Sequence, residues 1–195
     1  MNKQMNKHLL SAMVITASLA GGMQSAHAED MDALKAEGKE IIKGFFQQLK
    51  GTLMSAAKKG GPMHTIEVCN KDAPKIAADA AEKSGWEVGR TSLRIRNPDN
   101  APDEWETKVL NMFEERKAKG EDPKKMAFAE IVENNGKKQF RMMKAIPLAT
   151  LCTNCHGTEI KPKIAGTIDK FYPEDKARGF NKGDIRGAFT LTKNL

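Results

Sequence analysis

The chain has 195 residues, with 32 Lys or Arg against 25 Asp or Glu, a net charge of +7, and 39% hydrophobic and 6% aromatic residues. That supports one modest core rather than two large ones, and the mixing of charge signs argues against a disordered polyelectrolyte. Glycine without a three-residue period, 8 Pro and only 3 Cys exclude collagen-like and disulfide-dense chains.

Residues 1–28 read as a secretory signal. Lys3 and Lys7 form a basic start, His8 to Ala20 is a short apolar run, and Ala26-His27-Ala28 is a small-x-small cleavage site. The expected mature chain is a single domain over residues 29–195, exported to the periplasm and without an integral membrane segment after cleavage. Export and the scatter of the lysines argue against a nucleic-acid partner. The basic surface fits an acidic protein partner or an anionic membrane surface.

Met31 to Lys59 predicts a long helix, with Leu34, Ile41, Ile42, Phe45, Leu49, Leu53 and Ala56 recurring at helical spacings. Gly60-Gly61-Pro62 ends it. A second helix is expected over Thr65 to Ser84, kinked or broken at Pro74. Val88 to Arg96 alternates as a strand, with Leu93 and Ile95 on the buried face and Arg94 and Arg96 on the other. Residues 97–102 form a turn cluster, and Asp103 is an N-cap for a helix to about Lys119. Trp86 and Trp105 read as core residues. Asn134-Asn135-Gly136 predicts a hairpin joining Ala127–Glu133 to Lys138–Ile146. A helical stretch is expected from about Ala149 to Phe171, and Asp184 to Thr192 alternates as a final strand. Helices mixed with hairpin-linked strands give an α+β fold with an antiparallel sheet flanked by helices.

Cys152-Thr153-Asn154-Cys155-His156 is the C-x-x-C-H signature of c-type haem attachment. Two cysteines one helical turn apart can reach both vinyl groups of one porphyrin edge, and the next residue, His156, serves as proximal iron ligand. A redox dithiol, half of a zinc site completed by Cys69 and His64, or a plain disulfide would use the same C-x-x-C. The expected cofactor is one covalently attached haem c. Cys69 is then left as an odd thiol in an oxidising compartment. It is either a buried inert residue or the second axial ligand, with His64, Met63, Met142, Met143 or an open, water-ligated iron as alternatives. Arg90, Arg94 and Arg96 lie on or beside a strand, where they would hold the haem propionates or simply face solvent. No Ser-His-Asp set, paired catalytic carboxylates, P-loop or dinucleotide fingerprint is visible.

Several elements in order along the chain resemble one family. They are Val68-Cys69-Asn70 with Ala73-Pro74; Arg90-Thr91-Ser92 leading to Arg96-Asn97-Pro98-Asp99-Asn100-Ala101-Pro102 and Trp105-Glu106; Cys152 to Gly157; and Gly183-Asp184-Ile185-Arg186-Gly187-Ala188. The chain is similar to exported c-type haem proteins with a small PAS-like sensor fold. The resemblance implies a PAS-like antiparallel sheet and a His/Cys-ligated haem c, with His156 proximal and Cys69 distal.

The expected function is electron transfer, or redox or gas sensing, with a redox partner protein or a small gas as partner. A peroxidase-like or gas-reducing enzyme would need an acid–base residue over an open iron, and His64 and His156 are the only histidines after the signal. The balance therefore falls to a redox-active haem-binding protein over an enzyme. A helical-bundle cytochrome is the remaining alternative, and the closing strand argues against it.

Overall fold

The computed structural model describes residues 22–134 and 136–195. Most of the signal reading therefore lies outside the described residues. Among those described, no helix is long and apolar enough to cross a membrane.

Helix α1 spans Gly22–Ser84 but is two helical limbs. The chain leaves helical dihedrals only at Gly60 and Gly61, and Gly61 takes φ 69°, ψ −165°, a conformation open mainly to glycine. Pro62 then starts the second limb, where its missing N–H costs nothing. The break falls where the sequence placed it. Pro74 makes no second one: helical dihedrals continue through it.

Strand β1 (Glu87–Thr91) is followed by α2 (Glu104–Ala118), β2 (Ala127–Asn134), β3 (Lys137–Pro147), the single turn α3 (Thr153–His156), α4 (Pro162–Phe171) and β4 (Ile185–Asn194). The four strands form one antiparallel sheet in the order β1-β4-β3-β2. The α+β fold with helices flanking an antiparallel sheet is as expected, and a simple helical bundle is excluded. The β2–β3 hairpin closes on the Asn134–Lys137 pair, as Asn-Gly predicted.

Both faces of the sheet are covered. On one, Ile42, Phe45 and Leu49 of the first α1 limb and Ala73 and Ile76 of the second pack on Phe140, Met142, Phe189 and Leu191. On the other, Val109, Leu110 and Phe113 of α2 pack on Met143, Ala145 and Ala188. Trp86 and Trp105 sit in these layers, and their indole N–H groups donate to Glu37 and Glu130. Asp103 and Glu106 form a reciprocal capping box at the start of α2.

Two elements differ from expectation. The strand after Val88 ends at Thr91 instead of Arg96. The Ser92 hydroxyl donates to the Arg186 carbonyl at 2.7 Å and accepts the Arg94 N–H at 3.1 Å, which turns the chain out of the sheet. Leu93 is consequently exposed rather than buried. The helix expected over 149–171 is interrupted. Gly157 is extended after α3, and Lys161, held extended by the following Pro162, starts α4 afresh.

Gly187 is fixed by a close approach of β1. A Cβ there would lie 2.3 Å from the Thr91 carbonyl oxygen and 3.1 Å from the Ser92 Cβ. Gly187→Ala must therefore push two paired strands apart. We expect a loss of about 3 kcal/mol in urea unfolding, and a loss below about 1 kcal/mol would show that the strands yield freely.

Candidate haem site

Both α1 limbs, β1, the loop after it and residues 151–156 line an open cavity of about 690 Å³, within the roughly 300–1,000 Å³ typical of cofactor sites. Cys69, Cys152, Cys155, His156, Arg90 and Arg96 all line it. Three segments far apart in sequence thus bring every expected site residue except Arg94 to one space. The alternatives to Cys69 lie elsewhere. Met142 and Met143 are buried in the two core layers, Met63 is exposed, and neither Met63 nor His64 lines the cavity.

Cys152 is exposed, and Cys69 and Cys155 are partly buried; all three are free thiols. Burial pushes the Cys69 thiol up to about 11, although the Arg90 guanidinium draws it back. Burial also raises the Cys155 thiol. His156 is driven down to about 3 by burial and by Arg186 and Arg96, so its imidazole is neutral at ordinary pH.

His156 Nδ1 lies 2.8 Å from the Ala177 carbonyl oxygen and 3.2 Å from Arg186 Nε. One nitrogen cannot serve both. The shorter carbonyl contact makes Nδ1 the protonated nitrogen, which donates to Ala177. Arg186 is then a close positive charge rather than a donor, and Nε2 keeps its lone pair. A neutral histidine with one ring nitrogen tied to a carbonyl can ligate a metal through the other.

Arg96 is committed to holding this loop. Its Nε donates to Asp175 at 2.9 Å, and one NH₂ group donates to the Cys155 and Ala177 carbonyls at 2.6 and 3.2 Å. It therefore fixes the same Ala177 carbonyl that orients His156. The expectation that Arg96 faces solvent from a strand is overturned: it sits in the loop beyond β1, with an 11% exposed side chain. Arg94 also leaves the strand, and its guanidinium stacks 3.5 Å from the centre of the Phe180 ring. Arg90 remains on β1, lines the cavity and makes no hydrogen bond or ion pair among the described residues.

The profile of the Tll0287-like family matches residues 3–193, nearly the whole chain. The chain belongs to this family. Its fold is similar to the crystal structure of the cyanobacterial haem protein Tll0287, with a TM-score of 0.59 and 22% identity over 86% of this chain and 96% of that one. No curated protein matches it.

Sequence reasoning missed Asp175, Ala177 and the position of Arg186. Asp175 is only 1% exposed and binds both Arg96 and Arg178. Nothing in the sequence links it to Arg96, 79 residues away. Burial pulls its carboxyl up, but the bonds from Arg96, Arg178 and the Ala177 amide outweigh this and hold it below the usual carboxylate range. The stabilisation is therefore complete above the unfolded pKa of about 3.9 and is lost as pH falls through the lower folded value. Asp175→Asn leaves Arg96 buried without its counter-charge. We expect it to cost about 3–5 kcal/mol at pH 7, with the gap to wild type closing as urea unfolding is repeated below pH 4. A gap that stays constant with pH would remove the ion pair from the account.

Proposed function

We propose that the chain is an exported, periplasmic monohaem c-type protein that exchanges single electrons or senses redox state. The observation that carries this is the single cavity lined by Cys69, Cys152, Cys155 and His156. The family and the likeness to a haem protein support it. The donor set fits the group: two thiols one helical turn apart, a neutral imidazole with its far nitrogen tied to a carbonyl, and an apolar cavity wall including Ile66, Ala73 and Val88. Among the described residues, no group of three or more His, Cys, Asp or Glu side chains is arranged for a bare metal ion, which does not favour the zinc alternative.

Haem, when bound, supplies one-electron exchange between ferric and ferrous iron. Cys152 and Cys155 would hold it by thioether bonds. His156 would be the proximal ligand through Nε2 and Cys69 the distal one. Arg90, with no partner of its own, would take a propionate, whereas Arg96 would keep the attachment loop in place. The sheet and its flanking helices would serve as a PAS-like scaffold. An acidic redox protein is the partner we favour, given the net charge of +5 that residues 29–195 keep once Lys3 and Lys7 leave with the signal.

The test is expression in a host equipped for c-type haem maturation. The protein should carry one haem that survives acid-acetone extraction, with a low-spin ferric spectrum. A protein recovered without covalent haem from a host that matures a control cytochrome would overturn the reading.

A further inference from the structure

Arg186 is placed unlike the other arginines around the cavity. Its Nε lies 3.2 Å from His156 Nδ1, and its NH₂ group donates to the Arg94 carbonyl at 3.2 Å. The guanidinium sits 5.5 Å from the centre of the Phe180 ring, and that ring stands edge-on to His156 at 6.4 Å. The Phe180 N–H donates to the His156 carbonyl, so ring, histidine and guanidinium are fixed together. No carboxylate pairs with Arg186 among the described residues. Asp175 is committed to Arg96 and Arg178. Glu106, the buried carboxylate on the cavity wall, is engaged by the Thr190 hydroxyl and the Asp103 amide.

A guanidinium without a counter-charge in a partly buried site carries a desolvation cost, and a loop and a strand converge to hold this one against His156. Such a charge acts on the ligand in two ways with the same sign. It favours the redox state that holds one more electron, and it withdraws electron density from the imidazole, which weakens the bond to ferric iron more than to ferrous. A thiolate at the other axial position works in the opposite direction.

We propose that Arg186 is an electrostatic positioning residue for His156, setting the reduction potential of the haem upward against the pull of the distal thiolate. This rests on the haem reading above.

The experiment is a mediated spectroelectrochemical titration of purified holoprotein, wild type beside Arg186→Gln, Arg186→Met and Arg186→Lys. Both neutral variants should favour the ferric form at least tenfold at a fixed applied potential, a downward shift of about 59 mV or more. Arg186→Lys keeps the charge and should stay within threefold of wild type. Haem content and the low-spin ferric spectrum should be the same in all four. Neutral variants within threefold of wild type would overturn the proposal, as would a lysine variant shifted as far as the neutral ones, since loss of packing would then be the cause. If neither neutral variant loads haem, Arg186→Lys decides: retention of the potential supports the charge, and a tenfold shift overturns it. A wild-type protein without covalent haem would overturn the reading on which this inference rests, whereas a loaded wild type with unshifted variants overturns this inference alone.

Discussion

The Cys152→Ala, Cys155→Ala double variant, made alongside haem-maturation machinery, should release all of its haem into acidified acetone, whereas the wild type should release none. The two thiols sit at the start of α3 and within it, one turn apart, and both open onto the cavity. Neither carries packing that the fold needs. Cys152 is exposed, and Cys155 is partly buried against the small Ile66, Ile164, Ile168 and Tyr172 cluster. The variant should therefore keep its far-UV circular dichroism, and loss of haem would report attachment rather than unfolding. Single replacements should leave one thioether and a shifted haemochrome band. Covalent haem retained in the double variant would refute the C-x-x-C-H reading. So would a double variant that binds haem no more weakly than wild type after extraction.

Periodicity and punctuation made most of the fold legible. The α1 stripe, the Gly60-Gly61-Pro62 break, the Asp103 cap and the Asn-Gly hairpin all rest on contacts within a few residues in sequence, so their signals are local. All but one of the failures are non-local. Thr91 ends β1 because Ser92 bonds the Arg186 carbonyl, 94 residues away. Strand β4 alternates in sequence, yet Ala188 and Thr192 are buried as well as Phe189 and Leu191, because helices cover both faces of the sheet. Arg141, on β3, is covered by the start of α2. It pairs with Asp103 at 2.7 Å and lies 4.3 Å from the centre of the Trp105 ring. The helix written across 149–171 overlooked a local signal that was present, the extended residue before Pro162.

The site divides the same way. C-x-x-C-H is a local motif whose chemistry follows from its spacing, and an odd cysteine stands out by counting. Their shared cavity with Arg90 required the tertiary structure. The roles of the arginines could not be read from the strand pattern. Arg96 reads as a propionate contact or a solvent-facing strand charge and is instead bound by a buried carboxylate and two peptide carbonyls. Arg186 looked like the polar face of a strand and instead lies against the imidazole.

Cys69→Ser should convert the ferric haem from low spin toward high spin and raise the reduction potential, while leaving the haem covalently attached. Cys69 is on the second α1 limb, in the wall of the cavity that His156 also lines. As a free thiol it is held neutral by burial, at about 11. Iron would reverse that, because a coordinating thiol is deprotonated outright. A thiolate stabilises ferric iron, so its loss favours the ferrous form. The expected change is at least tenfold in the ferric-to-ferrous ratio, about 59 mV upward. Serine is close to cysteine in size and Cys69 lines the cavity rather than a core layer, so the fold should be unaffected. The sign is opposite to that expected for neutral Arg186 variants, which makes the pair a joint check on which group pulls the potential which way. Alkylation gives a second readout. Cys69 in ferric wild type should resist a thiol reagent under native conditions and become reactive if reduction releases it. Release on reduction would open the distal position to carbon monoxide and favour sensing, whereas a bond held in both states favours electron transfer. An unchanged low-spin spectrum in Cys69→Ser would refute the ligand assignment. Met142 and Met143 are locked in the core layers of β3, and His64 is off the cavity wall, so the second α1 limb would have to shift before His64 could bind.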